Sequence, residues 1–127
     1  MKNTVLVAII AFGLNVGGDL APAAAQSPAA AYDVPLLRLA QVLGSVHYLR
    51  NLCGESSNQW RDKMNALLVV EKPEPTRRAQ LVASFNRGYR NFGSVYTSCT
   101  PQALVAVEQY MAEGKSIATE INSRYAN

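Results

Sequence analysis

The sequence has few of the side chains from which reactive centres are usually built. It contains one histidine, His47, and two cysteines, Cys53 and Cys99. A metal site normally needs several His, Cys or carboxylate ligands at short spacing, and a redox-active thiol pair usually takes the form Cys-x-x-Cys. Neither pattern occurs, so we predict no metal and no cofactor. His47 is interpreted as a hydrogen-bonding residue at the edge of the core rather than as a catalyst.

The chain also lacks a large excess of charge of one sign. Lys and Arg number 12 and Asp and Glu number 9, which gives a net charge of +3. Nucleic-acid-binding proteins usually cluster a larger basic excess on one face, whereas these charges are scattered. A nucleic-acid partner is therefore not predicted. The charge is interpreted as a solvated basic surface, and a weak attraction to anionic lipids or wall polymers is the alternative.

No apolar run is long enough for a permanent membrane anchor, which needs about 20 residues. The run from Val5 to Val16 is shorter and leads into two glycines and Asp19. Lys2 precedes it and alanines 23–25 follow it, which completes the three parts of a secretory signal. We therefore predict a signal peptide over residues 1–25, a periplasmic location, and no stable membrane anchor after cleavage.

Export changes the interpretation of the two cysteines, because disulfides persist in oxidising compartments. We predict a bond between Cys53 and Cys99, with a pair of reactive thiols as the alternative. Neither cysteine has a histidine beside it that would activate a thiolate. On the chain-entropy description, a bond closing a loop of this length contributes about 4 kcal/mol. That is comparable with the whole net stability of a small domain.

The remainder of the chain has no strand pattern and is predicted to form helices. Residues 26–33 are interpreted as a flexible spacer and residues 34–127 as one helical domain. Prolines and a glycine mark the helix ends: Pro35 in a first turn, Gly54 as a left-handed cap, and Pro73 as a stop. Thr100 and Pro101 suit the start of the last helix. The predicted helices cover residues 35–52, 58–70, 76–98 and 100–125.

The third predicted helix carries the most regular apolar pattern. Its seam recurs at steps of three and four and falls on one narrow stripe, which we interpret as core: Leu81, Phe85, Tyr89, Phe92, Tyr96 and Cys99. The fourth helix has a seam of similar spacing, so the two are predicted to pack lengthwise and antiparallel. The cysteines would then lie at the ends of helices one and three. The predicted fold is an all-α, compact four-helix bundle stapled by one disulfide.

A candidate binding groove flanks this seam. Gly88 and Gly93 leave a gap in the side-chain surface of the third helix, at a cost of about 1 kcal/mol each relative to alanine. The simpler interpretation is that another helix packs closely there, with surface arginines beside it. If a groove exists, its predicted lining is His47, Arg50, Trp60, Arg61, Asn86 and Arg90.

Several short motifs together resemble one protein family. They are HYLRxLC from His47, WRxxM from Trp60, FNxGYRxF from Phe85, SVYxxCT from Ser94 and EGxxI from Glu113. The family consists of small secreted alphaproteobacterial proteins that share a domain of unknown function. The resemblance spans residues 36–125. It implies an envelope location and a paired state of both cysteines, and it supplies no activity or catalytic residue.

Three functional hypotheses follow. The first is a non-enzymatic periplasmic module that binds or structures the cell envelope, with an envelope protein or a cell-wall polymer as partner. The second is an acid- or stress-responsive chaperone, suggested by a looser architectural similarity to the small disulfide-bonded periplasmic chaperones of enteric bacteria. The third and least favoured is a cell-wall hydrolase with Glu55 as its acid, although no second carboxylate is placed beside it by any pattern.

Overall fold

The computed structural model describes residues 31–125, and every regular element in this range is a helix. The helices are α1 (Asp33–Leu52), α2 (Gln59–Glu71), α3 (Pro75–Gly93) and α4 (Pro101–Tyr125). The prediction of an all-α fold with four helices is confirmed for these residues. The predicted signal peptide and most of the predicted spacer lie outside the described residues. No helix in the described range is both long and apolar enough to cross a membrane.

The helix ends follow from local hydrogen bonding. The Glu74 side chain caps α3 by accepting from the backbone N–H groups of Thr76 and Arg77, and Pro75 occupies the first turn. Thr100 Oγ1 accepts from the backbone N–H of Ala103 at the start of α4. Gly54, with a φ of +102°, follows the end of α1. The N–H of the next residue bonds to the carbonyl of Arg50 at 2.9 Å, which is a Schellman ending.

Helix α3 ends at Gly93, whereas the sequence pattern predicted that it continues to Ser98. Beyond Gly93 the backbone turns, because the N–H groups of both Val95 and Tyr96 bond to the carbonyl of Phe92. The predicted stripe is therefore interrupted. Its first half is core, with Leu81 1 % and Phe85 6 % exposed, whereas the Tyr89 side chain is 39 % exposed.

Helix α1 is the common neighbour of the other three helices. It packs extensively on α3, α4 and α2, and no other pair of helices packs extensively within the described range. The predicted lengthwise α3–α4 pair is therefore wrong. The reason is that α1 has buried residues on all its sides, as a central helix requires: Leu36, Ala40, Val42, Gly44, Ser45, Val46, His47 and Leu49.

The contact between α1 and α3 is made backbone to backbone through two glycines. A Cβ atom built on Gly44 would overlap the carbonyl oxygen of Phe85, and one built on Gly88 would overlap that of Gln41. The predicted gap at Gly88 is thus filled by α1, the helix that carries His47. At Gly93 the nearest atoms belong to the ring of Tyr48, at 3.4 Å from a built Cβ, which is an ordinary contact.

The core consists of three groups of buried side chains arranged around α1. Leu36 and Ala40 of α1 meet Met64, Leu68, Leu81 and Phe85 of α2 and α3. Leu49 meets Ala103, Ala106 and Val107 of α4. Val42 and Val46 meet Trp60, with Tyr110, Met111 and Ile117 beside them.

The two ends of α1 are fastened in different ways. At its C-terminal end Cys53 is bonded to Cys99, which confirms the predicted disulfide. Because α3 ends early, the bond joins the end of α1 to the residues just before α4 rather than to the end of α3. At the N-terminal end, Arg77 lies 2.6 Å from Asp33 Oδ1 and 2.9 Å from Glu71 Oε2, and its guanidinium lies over the ring of Tyr32. We call this second group the Arg77 clasp.

The glycine contact yields a test of the α1–α3 packing. We expect Gly88→Ala to lower the free energy of unfolding by about 1–3 kcal/mol, although alanine has the higher helix propensity, because the added methyl group must push the helices apart. Urea denaturation followed by circular dichroism would measure it. Gly93→Ala is the matched control and should be neutral or stabilising by up to about 1 kcal/mol. A Gly88→Ala protein as stable as the parent would contradict this packing.

Candidate functional site

A network of polar side chains fastens the corner between α1 and α2, and Asn51 is its centre. The Asn51 amide nitrogen donates to the carbonyl of His47 at 2.9 Å and lies 3.1 Å from Nδ1 of the His47 ring. Its amide oxygen accepts from the backbone N–H of Ser57 at 2.9 Å. The side chain therefore ties the loop that leads into α2 to the last turns of α1.

His47 is buried, and the groups around it favour its neutral form. It is 4 % exposed, and its ring centroid lies 6.0 Å from that of Phe85 and 5.7 Å from that of Tyr89. Burial lowers the pKa of His47 below its ordinary value, the charge of Arg61 lowers it further, and that of Asp62 opposes the shift. Because an amide nitrogen only donates, Nδ1 accepts from Asn51 and the proton resides on Nε2.

Glu55, the acid of the hydrolase hypothesis, accepts two hydrogen bonds and forms one ion pair. Its Oε1 accepts from the side-chain amide of Gln59 and from Trp60 Nε1, the latter at 3.3 Å. Its Oε2 lies 3.2 Å from Nε of Arg50, whose guanidinium also stacks over the Trp60 ring at 5.9 Å. None of these partners is a second acid. The arrangement braces the corner and does not resemble the carboxylate pair that glycoside hydrolysis requires.

The six residues of the predicted groove fall into two groups. Three of them, His47, Arg50 and Trp60, lie at the α1–α2 corner in the contacts just described. Arg61 is exposed and acts on this corner through its charge, which lowers the pKa of His47. On α3, Asn86 is half-buried and Arg90 is exposed, and neither takes part in the hydrogen bonds of this corner. A role of these six residues in binding stays a prediction.

A different concavity lies on the side of α1 between α2 and α4, which we call the lateral groove. It has a cavity volume of about 410 Å³, within the range of small-ligand sites. Each of the three helices contributes to its lining. The lining residues are Leu39, Val42, Leu43 and Val46 of α1, Trp60, Lys63 and Leu67 of α2, and Tyr110, Met111, Gly114, Lys115 and Ala118 of α4.

The lateral groove exists because α2 and α4 both pack on α1 without packing extensively on each other. Small residues on α4 keep it open, since Gly114 and Ala118 present almost no side chain to it. A Cβ built on Gly114 would lie 3.1 Å from Val42 Cγ1, so α4 also approaches α1 closely there. The floor is apolar and deep, with Val42 2 % and Val46 1 % exposed.

The charged lining residues of the lateral groove are of one sign. They are Lys63 and Lys115, both exposed, and no acidic side chain lines it. Lys63 Nζ lies 5.7 Å from the Trp60 ring centroid, a cation–π distance, and so stays at the α2 wall. The groove therefore combines an apolar floor with positive charge on two walls. In the described range no group of three or more His, Cys, Asp or Glu residues could hold a metal ion.

The lateral groove was not predicted from the sequence, although its components are visible as apolar repeats in the predicted helices. The repeats do not show that α2 and α4 flank the same side of α1. A sequence signal for the gap does exist in the small residues at positions 114 and 118. Its meaning depends on knowing which helix they face.

The sequence profile of one protein family matches residues 31–125. The description of the family is Protein of unknown function (DUF2385). The chain belongs to this family. The match confirms the predicted membership in a family of unknown function, and the DUF2385 region includes all four helices, both cysteines and the lateral groove. No curated protein and no solved structure matches the sequence.

The burial of His47 predicts how the stability of the DUF2385 domain depends on pH. A histidine with a lowered folded-state pKa binds fewer protons in the folded than in the unfolded state, so its contribution to stability falls as pH decreases through its ordinary value of 6.5. We expect the free energy of unfolding to decrease between about pH 7.5 and pH 5, with a slope from this group of at most about 1.4 kcal/mol per pH unit.

Urea denaturation at several pH values would measure this slope. His47→Gln, which keeps a hydrogen-bonding side chain without titrating, should flatten it even if the variant is less stable overall. The ordinary pKa values of Asp and Glu side chains in general, about 4, lie below this window. An equal slope in the two proteins would contradict the neutral state assigned to His47.

Proposed function

We propose that this protein is exported to the periplasm and acts there as a non-enzymatic binding module of the cell envelope, which takes up its ligand or partner in the lateral groove. The main support is the groove itself, an apolar concavity formed by three helices in a small domain. Ligand sites in helical bundles are commonly built in this way, from side chains of facing helices.

The chemistry of the groove supports binding rather than catalysis. Its lining is mostly aliphatic and aromatic, and its charged groups, Lys63 and Lys115, are exposed at the walls. His47 and Glu55 are engaged in hydrogen bonds that fasten the corner. General acid–base catalysis needs a titrating group within hydrogen-bond reach of the substrate, and these two residues are better explained by their structural contacts.

The disulfide is consistent with the proposed location, because a cysteine pair of this kind forms and persists mainly outside the reducing cytoplasm. The apolar segment near the N-terminus and the alanines 23–25 are the sequence features on which export depends.

Export can be tested with the cysteines as reporters. The full chain and a version without residues 1–25 would be expressed in a Gram-negative bacterium and treated in the cell with a membrane-permeant maleimide. We expect the full chain to appear in the periplasmic fraction and to react only after reduction, whereas the truncated chain should react directly. Recovery of the full chain in the cytoplasm with labelled Cys53 and Cys99 would contradict the proposal.

Occupancy of the lateral groove can be tested by photo-crosslinking in living cells. A benzophenone side chain would be placed at Ala66, an exposed position one turn from Lys63, and separately at Arg87, an exposed position on α3. Mass spectrometry of the purified protein would detect an adduct of any size. We expect a light-dependent adduct at position 66 and none of the same mass at position 87.

A filled groove provides the control for this experiment. Ala118→Phe puts a ring into the groove from an exposed position on α4, and Ala112→Phe puts the same ring on α4 at an exposed position that does not line it. The adduct should disappear in the first variant and persist in the second. An adduct indifferent to Ala118→Phe, or none at position 66, would refute binding in the groove.

An acid-responsive chaperone is the second candidate, and the burial of His47 favours it. Protonation of a histidine packed between Phe85 and Tyr89, with Arg61 nearby, would weaken the attachment of both α2 and α3 to α1. Apolar-dye binding together with protection of client proteins at acidic pH would support this function. A bundle that binds no dye down to about pH 3 would eliminate it, since dye binding marks exposed apolar surface in acid states.

A further inference from the structure

We propose that the lateral groove binds the anion of a fatty acid, with a single acyl chain lying along α1 and the carboxylate held at the lysine-bearing walls. This inference rests on the proposed function of the groove as a binding site. It adds the chemical class of the occupant, which is argued from the shape of the floor, the volume and the sign of the charge.

The floor of the lateral groove is a continuous apolar track. Leu39, Val42, Leu43 and Val46 follow the i, i+3, i+4, i+7 spacing that aligns side chains along one side of a helix. From the first to the last of them the helix rises by about 10 Å. A long, narrow apolar floor of this kind matches an extended chain of methylene groups better than a compact polar molecule.

The volume of the groove favours a small molecule over a folded partner. At about 410 Å³ it falls within the range of small-ligand sites. A stable protein–protein interface buries about 800 Å² on each partner. The deepest part of the groove is closed at its base, because Val42 and Val46 are almost fully buried and Trp60 is 9 % exposed. A ligand in the groove would therefore contact mainly the half-buried side chains of Leu39, Leu43 and Leu67, which lie above this base.

The charge of the groove selects an anion. Lys63 stands on the α2 wall and Lys115 on the α4 wall, so an anionic group between them meets positive charge from two helices. The nearby acid Glu113 is already paired with Arg38, with 2.6 Å between Oε1 and Nε, and does not line the groove. A carboxylate is the smallest anionic group that can end an acyl chain, and both lysines are exposed enough to follow it.

The only tryptophan of the chain provides a direct reporter, because Trp60 forms part of the groove lining. Full-length protein purified in its oxidised form would be titrated with decanoate below its micelle concentration, and Trp60 fluorescence and calorimetric heat would be recorded. Decyltrimethylammonium, which has the same chain and the opposite charge, is the ligand control. We expect saturable one-to-one binding of decanoate and at least about tenfold weaker binding of the cation.

Charge reversal in the protein tests the same assignment. Lys63→Glu combined with Lys115→Glu should weaken decanoate binding by about tenfold or more and remove the preference over the cation. Arg78→Glu combined with Arg87→Glu changes the net charge equally at two exposed positions of α3 and should leave the affinity unchanged. Ala118→Phe should abolish binding and Ala112→Phe should not.

The outcomes separate this inference from the proposed function. Equal binding of decanoate and the cation, no decanoate binding, or binding only to anionic phospholipid vesicles would each overturn the fatty-acid assignment. If any of these occurs while the in-cell adduct at position 66 remains sensitive to Ala118→Phe, the groove is a binding site for a different class of molecule. Loss of that adduct result would instead remove the proposed function.

Discussion

The backbone contact between α1 and α3 is the constraint on which the arrangement of the other helices depends. Gly44 and Gly88 let the two helices meet without intervening side chains. The remaining sides of α1 are therefore free to receive α2 and α4. A domain of this size has a limited amount of apolar surface to bury. A central helix that contacts three others allows each of them to bury its apolar side against the same helix. The lateral groove is a consequence of the same arrangement, because α2 and α4 both pack on α1 without packing extensively on each other.

The number of helices and most of their ends could be predicted from local sequence. The pairing of the helices could not, because it depends on which helices are neighbours in space. Pro75, Pro101 and Gly54 mark helix ends through backbone chemistry, and the sequence contains that information. The end of α3 was missed because apolar spacing continues through Tyr96 after the backbone has already turned at Phe92. The α3–α4 pairing was wrong for a related reason: a three-and-four repeat shows that a helix has a buried side but not which helix covers it.

The candidate site likewise has one part that could be predicted from local sequence and one part that depends on which helices are neighbours. His47, Arg50, Trp60 and Arg61 lie near one another because the Cys53–Gly54 turn returns the chain onto the end of α1, and this proximity follows from sequence order. Polar atoms of His47, Arg50 and Trp60 hold that turn in place through Asn51 and Glu55. The lateral groove combines residues about 80 positions apart along the chain, from Leu39 to Ala118. No local pattern connects such positions, so a three-dimensional structure was needed to find it.

The two fastenings of α1 give the molecule a preferred direction of opening. The helix has 20 residues, so its ends lie about 30 Å apart. The Arg77 clasp at one end is ionic and non-covalent, whereas the bond at the other end is covalent and cannot open without reduction. If the domain opens, the helices can separate near Tyr32 and the α2–α3 junction, while the region around Cys53 stays joined by the disulfide. The disulfide would keep the separated helices close together. The loss of chain entropy on re-forming their contacts would therefore be small.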